Sequence, residues 1–236
     1  MGKILAFGAH PDDIEFVCAG TLAKYKAAGW EIGIAIATNG EVGSPTLSKP
    51  EIAAIRENEA RASAALIGAD FYWLGYPDEF LFNTCEVRLH FINVIRQFMP
   101  DIIICLDKDL DYHPDHTTTG QIIWDTHVMV TIPNIETDAP PCDKIPEIFY
   151  MDTTGGVNFN PEYYVDISEH WQIKAAMIGC HVSQDSWAQG QYGVTLVEFG
   201  QTQSRFRGFQ AGCNYAEAFR RPKFFPGSVK ADGLLP

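Results

Sequence analysis

An α/β fold, with a mostly parallel sheet flanked by helices, is predicted by three observations. Short apolar runs bounded by turn residues recur through the first half of the chain. Helical patterns long enough to serve as crossovers lie between them, which is the alternation of βαβ units. Two strings rich in histidine and aspartate, Ala9-His10-Pro11-Asp12-Asp13 and Tyr112-His113-Pro114-Asp115-His116, each follow one of those apolar runs. In a doubly wound sheet such positions meet where ligands bind, outside the carboxyl ends of the strands.

The elements follow in order. Lys3 to Gly8 is apolar and reads as a buried first strand. Asp13 to Ala28 carries helix formers and stops at Gly29, a natural C-cap. Glu31 to Thr38 is a second strand ending at Asn39-Gly40. Ser48-Lys49-Pro50-Glu51 opens a helix with proline in the first turn and Glu three residues after Ser, and that helix runs to Ile67. Asp70 to Leu74 is a third strand and Cys85 to Phe98 a third helix. Ile102 to Leu106 is wholly apolar, as a central parallel strand should be, and His116 to Val130 is helical.

The second half is less regular. Ile132 to Pro146 holds four prolines and is read as a loop that covers the site. Glu147 to Met151 and Tyr163 to Asp166 are strands, Ser168 to Cys180 a helix, and Asn214 to Phe219 a short helix. The segment from Ser186 to Gly208 is read as a second variable loop that, with the first, sets substrate choice.

Composition narrows the function. At 236 residues with 46% hydrophobic content the chain can bury a sizeable core, and α/β folds of this length are commonly one domain. We therefore expect a single domain over residues 1–236 with an elaborated C-terminal part. A formal net charge of −13 argues against nucleic acid and anionic membrane surfaces as partners. No leader and no apolar run long enough to span a membrane is read in the chain. Six scattered cysteines without a Cys-x-x-Cys pair suit reduced core residues, so a cytoplasmic location is expected.

If the first and fourth strands are neighbours, three histidines and three aspartates converge on one point. That suffices for a divalent metal with an open position and an acid/base residue beside it. Asp12 and Asp13 are adjacent on a strand-to-helix turn, so one can ligate while the other faces a water. Of His113 and His116, one ring can reach the metal while the other stands beside the substrate. Asp115 is placed to orient a histidine ring from behind. His90, His127 and His170 lack this context, and His181 is assigned a structural place near the site.

The strings AHPDDIE, TNGE, Arg56-Glu57-Asn58-Glu59, GYPD, YHPDH, HVSQ and NYAEAFR resemble the zinc-dependent LmbE/PIG-L family of N-acetylglucosaminyl deacetylases, from Lys3 to Arg220 and in family order. The resemblance implies a single Rossmann-like domain, with His10, Asp13 and His116 as metal ligands. It implies Asp12 as general base and a charged His113 as electrostatic or acid partner for the tetrahedral intermediate. Glu41, Arg56 and Asp78 fall where relatives place polar groups near sugar hydroxyls. The implied cofactor is Zn2+, with Fe2+ also accepted by two histidines and an aspartate. The implied partner is a small N-acetylated amino sugar or glycoconjugate. Relatives that form trimers or hexamers suggest a homo-oligomer, for which the aromatic-rich tail (Phe206, Phe209, Phe219, Phe224, Phe225) offers contacts or core. An alternative within the family is an amidase that cleaves a larger acyl amide, such as a thiol conjugate. A binding protein without turnover would lack Asp12 or His113, and both are present.

Overall fold

Strands that are apolar on both faces need helices above and below them, and the computed structural model, which describes residues 2–223, supplies both layers. Five strands run parallel: β1 (Lys3–Gly8), β2 (Glu31–Thr38), β3 (Asp70–Tyr76), β4 (Ile102–Cys105) and β5 (Glu147–Met151). Two more, β6 (Tyr163–Asp166) and β7 (Ala216–Arg220), close the sheet antiparallel. The order is β3-β2-β1-β4-β5-β7-β6. The chain winds outward from β1 in one direction and from β4 in the other, so the topological switch lies between them. Register pairs Ile4 with Ile102 and Phe7 with Cys105, which sets the two histidine-bearing tips side by side.

Side chains alternate across β1. Leu5 and Phe7 enter one core with Phe91, Ile95 and Ile103, while Ile4 and Ala6 enter the other with Ile14, Leu22 and Ile34. The flanking helices are α1 (Asp13–Val17), α2 (Ala19–Ala27), α3 (Lys49–Leu66), α4 (Cys85–Phe98), α5 (Pro114–Thr126), α6 (Trp171–Ile178), α7 (Val182–Tyr192) and α8 (Leu196–Ala211). The Ser48–Glu51 capping box opens α3, with Ser48 N–H donating to Glu51 at 2.9 Å.

Four expectations need correction. The helix expected over residues 13–28 breaks at Cys18 (φ −145°, ψ 1°), because a carboxylate from β7 caps the second piece. Gly20 and Thr21 N–H donate to Glu217 at 2.9 and 2.6 Å, and buried Lys174 neutralises it at 2.6 Å. The short helix expected over 214–219 is instead β7, held by hydrogen bonds to β5 and β6 on its two sides. Residues 186–208 are not a loop but the greater part of α7 and α8, joined through Gly193 in the left-handed region and a Thr195–Glu198 capping box. The proline-rich loop does not cover the site. Buried Arg96 of α4 donates to the carbonyls of Val130, Ile132 and Ile135 and pins the loop there, away from the cleft. Phe224 and Phe225 lie outside the described residues. Among the described residues, no helix is long and apolar enough to cross a membrane.

Candidate functional site

The turn after β1 is built around Asp13. Its Oδ2 accepts from the N–H groups of Ala9 and His10, both at 2.8 Å, so the carboxylate is fixed before it meets any ligand. Asp12 pays for that turn in strain: its φ is +131°, a conformation worth about 1–3 kcal/mol for a residue with a Cβ. It occupies the N-cap of α1 yet makes no side-chain capping bond. Its carboxylate therefore remains free to face the cleft, 3.4 Å from Arg56 Nη2.

Three side chains close on one point. His10 Nδ1 lies 3.1 Å from His116 Nε2, His116 Nε2 lies 3.2 Å from Asp13 Oδ1, and His10 Nδ1 lies 3.7 Å from Asp13 Oδ2. All three residues are buried. The outer ring nitrogens face carboxylates: His10 Nε2 is 3.1 Å from Asp78 and 3.4 Å from Asp115, and His116 Nδ1 is 3.0 Å from Asp111. Carboxylates hold protons on those outer nitrogens and leave two lone pairs aimed at each other. With both outer nitrogens protonated, the two inner nitrogens at that distance require a proton or a cation between them.

The electrostatics make the same demand. Burial alone would lower His10, but Asp115, Asp13 and Asp78 outweigh it and hold the ring well above the ordinary histidine value. His116 is pushed up to about 9, its burial overcome by Asp13 and Asp111. Asp13 is held well below the carboxylate range, against its burial, by His116 and His10. The donor set fits a divalent cation. Tetrahedral ligands at zinc-like bond lengths sit about 3.3–3.4 Å apart, close to the separations here.

Asp12 behaves differently. Burial raises it to about 6, with Arg56 and His181 pulling in the opposite direction. His113, at the N-cap of α5, accepts the Asp115 N–H on Nδ1 at 3.2 Å, and its Nε2 lies 3.2 Å from Glu79. A backbone donor on Nδ1 leaves the ring neutral with its proton on Nε2. Burial and the charges of His10 and His116 lower its pKa as well. In this structure His113 is thus placed as a neutral N–H donor, whereas the family pattern implies a charged one.

A family model described as PIG-L, GlcNAc-PI de-N-acetylase, matches residues 5–127, more than half of the chain and every residue of this cluster. The chain belongs to the PIG-L family. Diacetylchitobiose deacetylase from Thermococcus kodakarensis is 29% identical, over 95% of this chain and 84% of that protein. The structure of N,N'-diacetylchitobiose deacetylase from Pyrococcus horikoshii, complexed with its inhibitor MPG, superposes with a TM-score of 0.81 at 31% identity. That match covers 93% of this chain and 83% of that one. GalB, the 4-carboxy-2-hydroxymuconate hydratase of Pseudomonas putida, also superposes at 0.81, covering 97% and 100%, but at 18% identity it shows the fold alone.

The PIG-L motif residues floor a cavity of about 580 Å³. Arg56 lines it, but its guanidinium is committed: Nη2 donates to Pro11 O at 2.9 Å and Nη1 to Gly40 O at 3.4 Å. Gly40, at φ +64°, and Gly43 let the loop close over it; a Cβ on Gly43 would stand 2.6 Å from Nη1. Asp78 also lines the cavity, with one oxygen toward His10 and the other accepting from Val42 N–H at 3.3 Å. Glu41 does not line it. Lys49 and Asn39, each 3.2 Å from a Glu41 oxygen, draw that carboxylate outward. Sequence reasoning missed Asp111, although an aspartate two residues before His113 can bond its N–H, as it does at 3.1 Å. It also missed Glu79 and the aromatic residues of α7, which carry no motif.

Proposed function

We propose that this PIG-L member hydrolyses the acetamide of an N-acetylglucosamine-type sugar or its conjugate, releasing acetate and a free amine. The observation that carries the proposal is the convergence of His10, Asp13 and His116 beside an Asp12 carboxylate that no cap or turn consumes. Those three residues would hold a divalent cation, which when bound supplies Lewis acidity to the amide carbonyl and to water. Zinc suits two imidazoles and one carboxylate with an open position.

The remaining chemistry belongs to the chain. Asp12, raised to about 6 by burial, is basic enough to take a proton from the attacking water and acidic enough to return it. The neutral His113 offers its Nε2–H to the oxyanion as the carbonyl becomes tetrahedral. Asp12 then passes its proton to the departing nitrogen as the C–N bond breaks. Asp111, Asp78 and Asp115 keep the ligand rings from rotating.

In the same reading residues 1–236 act as one domain, in the cytoplasm, where six unpaired cysteines are at home. Phe206 and Phe209, 51% and 87% exposed, support self-association. The test is amine release from N-acetylglucosamine conjugates by metal-loaded protein. Asp12→Asn should keep its metal and lose about 10²–10⁴-fold in rate. Full activity in that variant removes Asp12 from the mechanism, and release of a longer acid in place of acetate makes the protein an amidase.

A further inference from the structure

The catalytic cluster accounts for the floor of the cleft but not for its far wall. That wall is a series of four aromatic rings, all of which line the cavity. Phe16, three residues past Asp13 on α1, meets Phe199 of α8 edge-on, with centroids 5.5 Å apart. Phe199 stacks on Tyr192 at 5.5 Å and 27°. Tyr192 in turn meets Trp187, also on α7, edge-on at 5.4 Å and 86°. The series runs from beside the ligand cluster toward solvent, where Trp187 and Tyr192 are each 49% exposed.

Core packing does not explain that exposure, since α7 already seats Ala188 and Gln184 against the body of the protein. Three of its four rings, Trp187, Tyr192 and Phe199, also lie outside residues 5–127, so the family pattern does not account for them. Its chemistry is mixed: flat apolar faces, with the amides of Gln184 and Gln191 lining the same cavity. A pyranose ring has that character, with one face of C–H bonds and a rim of hydroxyls. A charged group would need a counter-ion, and the guanidinium of Arg56 is already committed to carbonyls. At about 580 Å³ the cavity lies within the range of pockets that hold ligands of more than one ring.

We propose that Trp187 and Tyr192 form the binding site for a second sugar ring, joined to the one whose acetamide is hydrolysed. The proposal rests on the deacetylase reading above and adds to it a preference for a disaccharide over a monosaccharide. Aromatic stacking supplies the contact and fixes which end of the substrate enters first.

The experiment compares kcat/KM for N,N'-diacetylchitobiose and N-acetylglucosamine in the metal-loaded full chain, its Trp187→Ala, Tyr192→Ala and Trp187→Phe variants, with thermal midpoints checked. We expect the disaccharide-over-monosaccharide ratio to fall about 3–10-fold in each alanine variant, mostly through KM, and to be largely kept by Trp187→Phe. An unchanged ratio in folded variants overturns the proposal. So does an aryl N-acetylglucosaminide that shows the same preference and the same loss, because the site would then bind any flat aglycone. Calorimetric binding of the disaccharide to Asp12→Asn protein, with and without Trp187→Ala, separates the two readings. If the wild type releases no amine, the deacetylase reading fails, while a Trp187-dependent affinity still supports the second-ring site and an independent one overturns it.

Discussion

Asp115 serves two histidines at once: its carboxylate lies 3.4 Å from His10 Nε2, and its backbone N–H donates to His113 Nδ1. One residue on α5 thus orients a candidate ligand on the neighbouring strand tip and sets the tautomer of the candidate oxyanion donor. The same carboxylate accepts from Glu79 and Leu81 N–H, at 2.8 and 3.2 Å, and so shapes the rim of the cleft.

Replacing that carboxylate should be felt as metal affinity. Asp115→Ala keeps the N–H to His113 but frees the outer nitrogen of His10. Metal affinity should fall about 10–100-fold, as measured by competition with a chromophoric chelator. Unchanged affinity would assign the orientation of His10 to Asp78 alone.

Asp111 allows a second, separable test. Asp111→Ala removes the carboxylate behind His116 Nδ1 and the acceptor for His113 N–H. We expect the same order of loss in metal affinity and, in addition, lower turnover at saturating metal, because the start of α5 is loosened. Asp111→Asn should restore turnover more than affinity, since it can keep the bond to His113 N–H but not the charge behind His116.

Stability should depend on pH through His181 and Glu15, whose side chains approach to 3.3 Å in the core. Burial alone would lower His181 below its ordinary 6.5, but Glu15 and Asp12 outweigh it and raise the ring. Glu15 is held below its ordinary 4.5, against its burial, by His181 and Ser63. The raised histidine stabilises fully below about pH 6.5 and loses that contribution as pH climbs through its folded value. The lowered carboxylate stabilises above about pH 4.5 and loses it as pH falls through its own. Urea unfolding of wild type and His181→Gln should therefore differ most between about pH 4.5 and 6.5 and converge on the alkaline side. A gap that widens with rising pH would contradict the pairing.

Glu217 should matter to the fold far more than to chemistry. Glu217→Ala leaves the Lys174 ammonium buried and strips the cap from α2, which should cost about 3–5 kcal/mol in denaturant unfolding. Replacing Lys174 and Glu217 together by Met and Leu should recover much of that loss.

What could be read in advance depended on where the determining contacts lie. β1, β2 and α4 begin and end where their patterns predict, because apolar periodicity and turn residues decide them locally. The break at Cys18 could not be read, since the carboxylate that caps α2 comes from residue 217. The strand nature of Ala216–Arg220 depends likewise on neighbours far along the chain. In the site, the histidine and aspartate strings were legible because each follows a strand and precedes a helix. The neutral state of His113 was not, because one backbone N–H decides it. The aromatic wall was hidden because Trp187 and Tyr192 gain meaning only when α7 and α8 fold over the cleft.

The most direct test of the account is metal stoichiometry together with ligand identity. Purified protein stripped with chelator and titrated with Zn2+ should bind one equivalent tightly, with X-ray absorption showing two imidazoles and oxygen donors in a first coordination sphere of about 2.0–2.1 Å. His10→Ala and His116→Ala should each abolish that tight equivalent. Tight binding that survives either substitution, or a sphere without histidine, would contradict the claim that the tips of β1 and β4 clasp one cation.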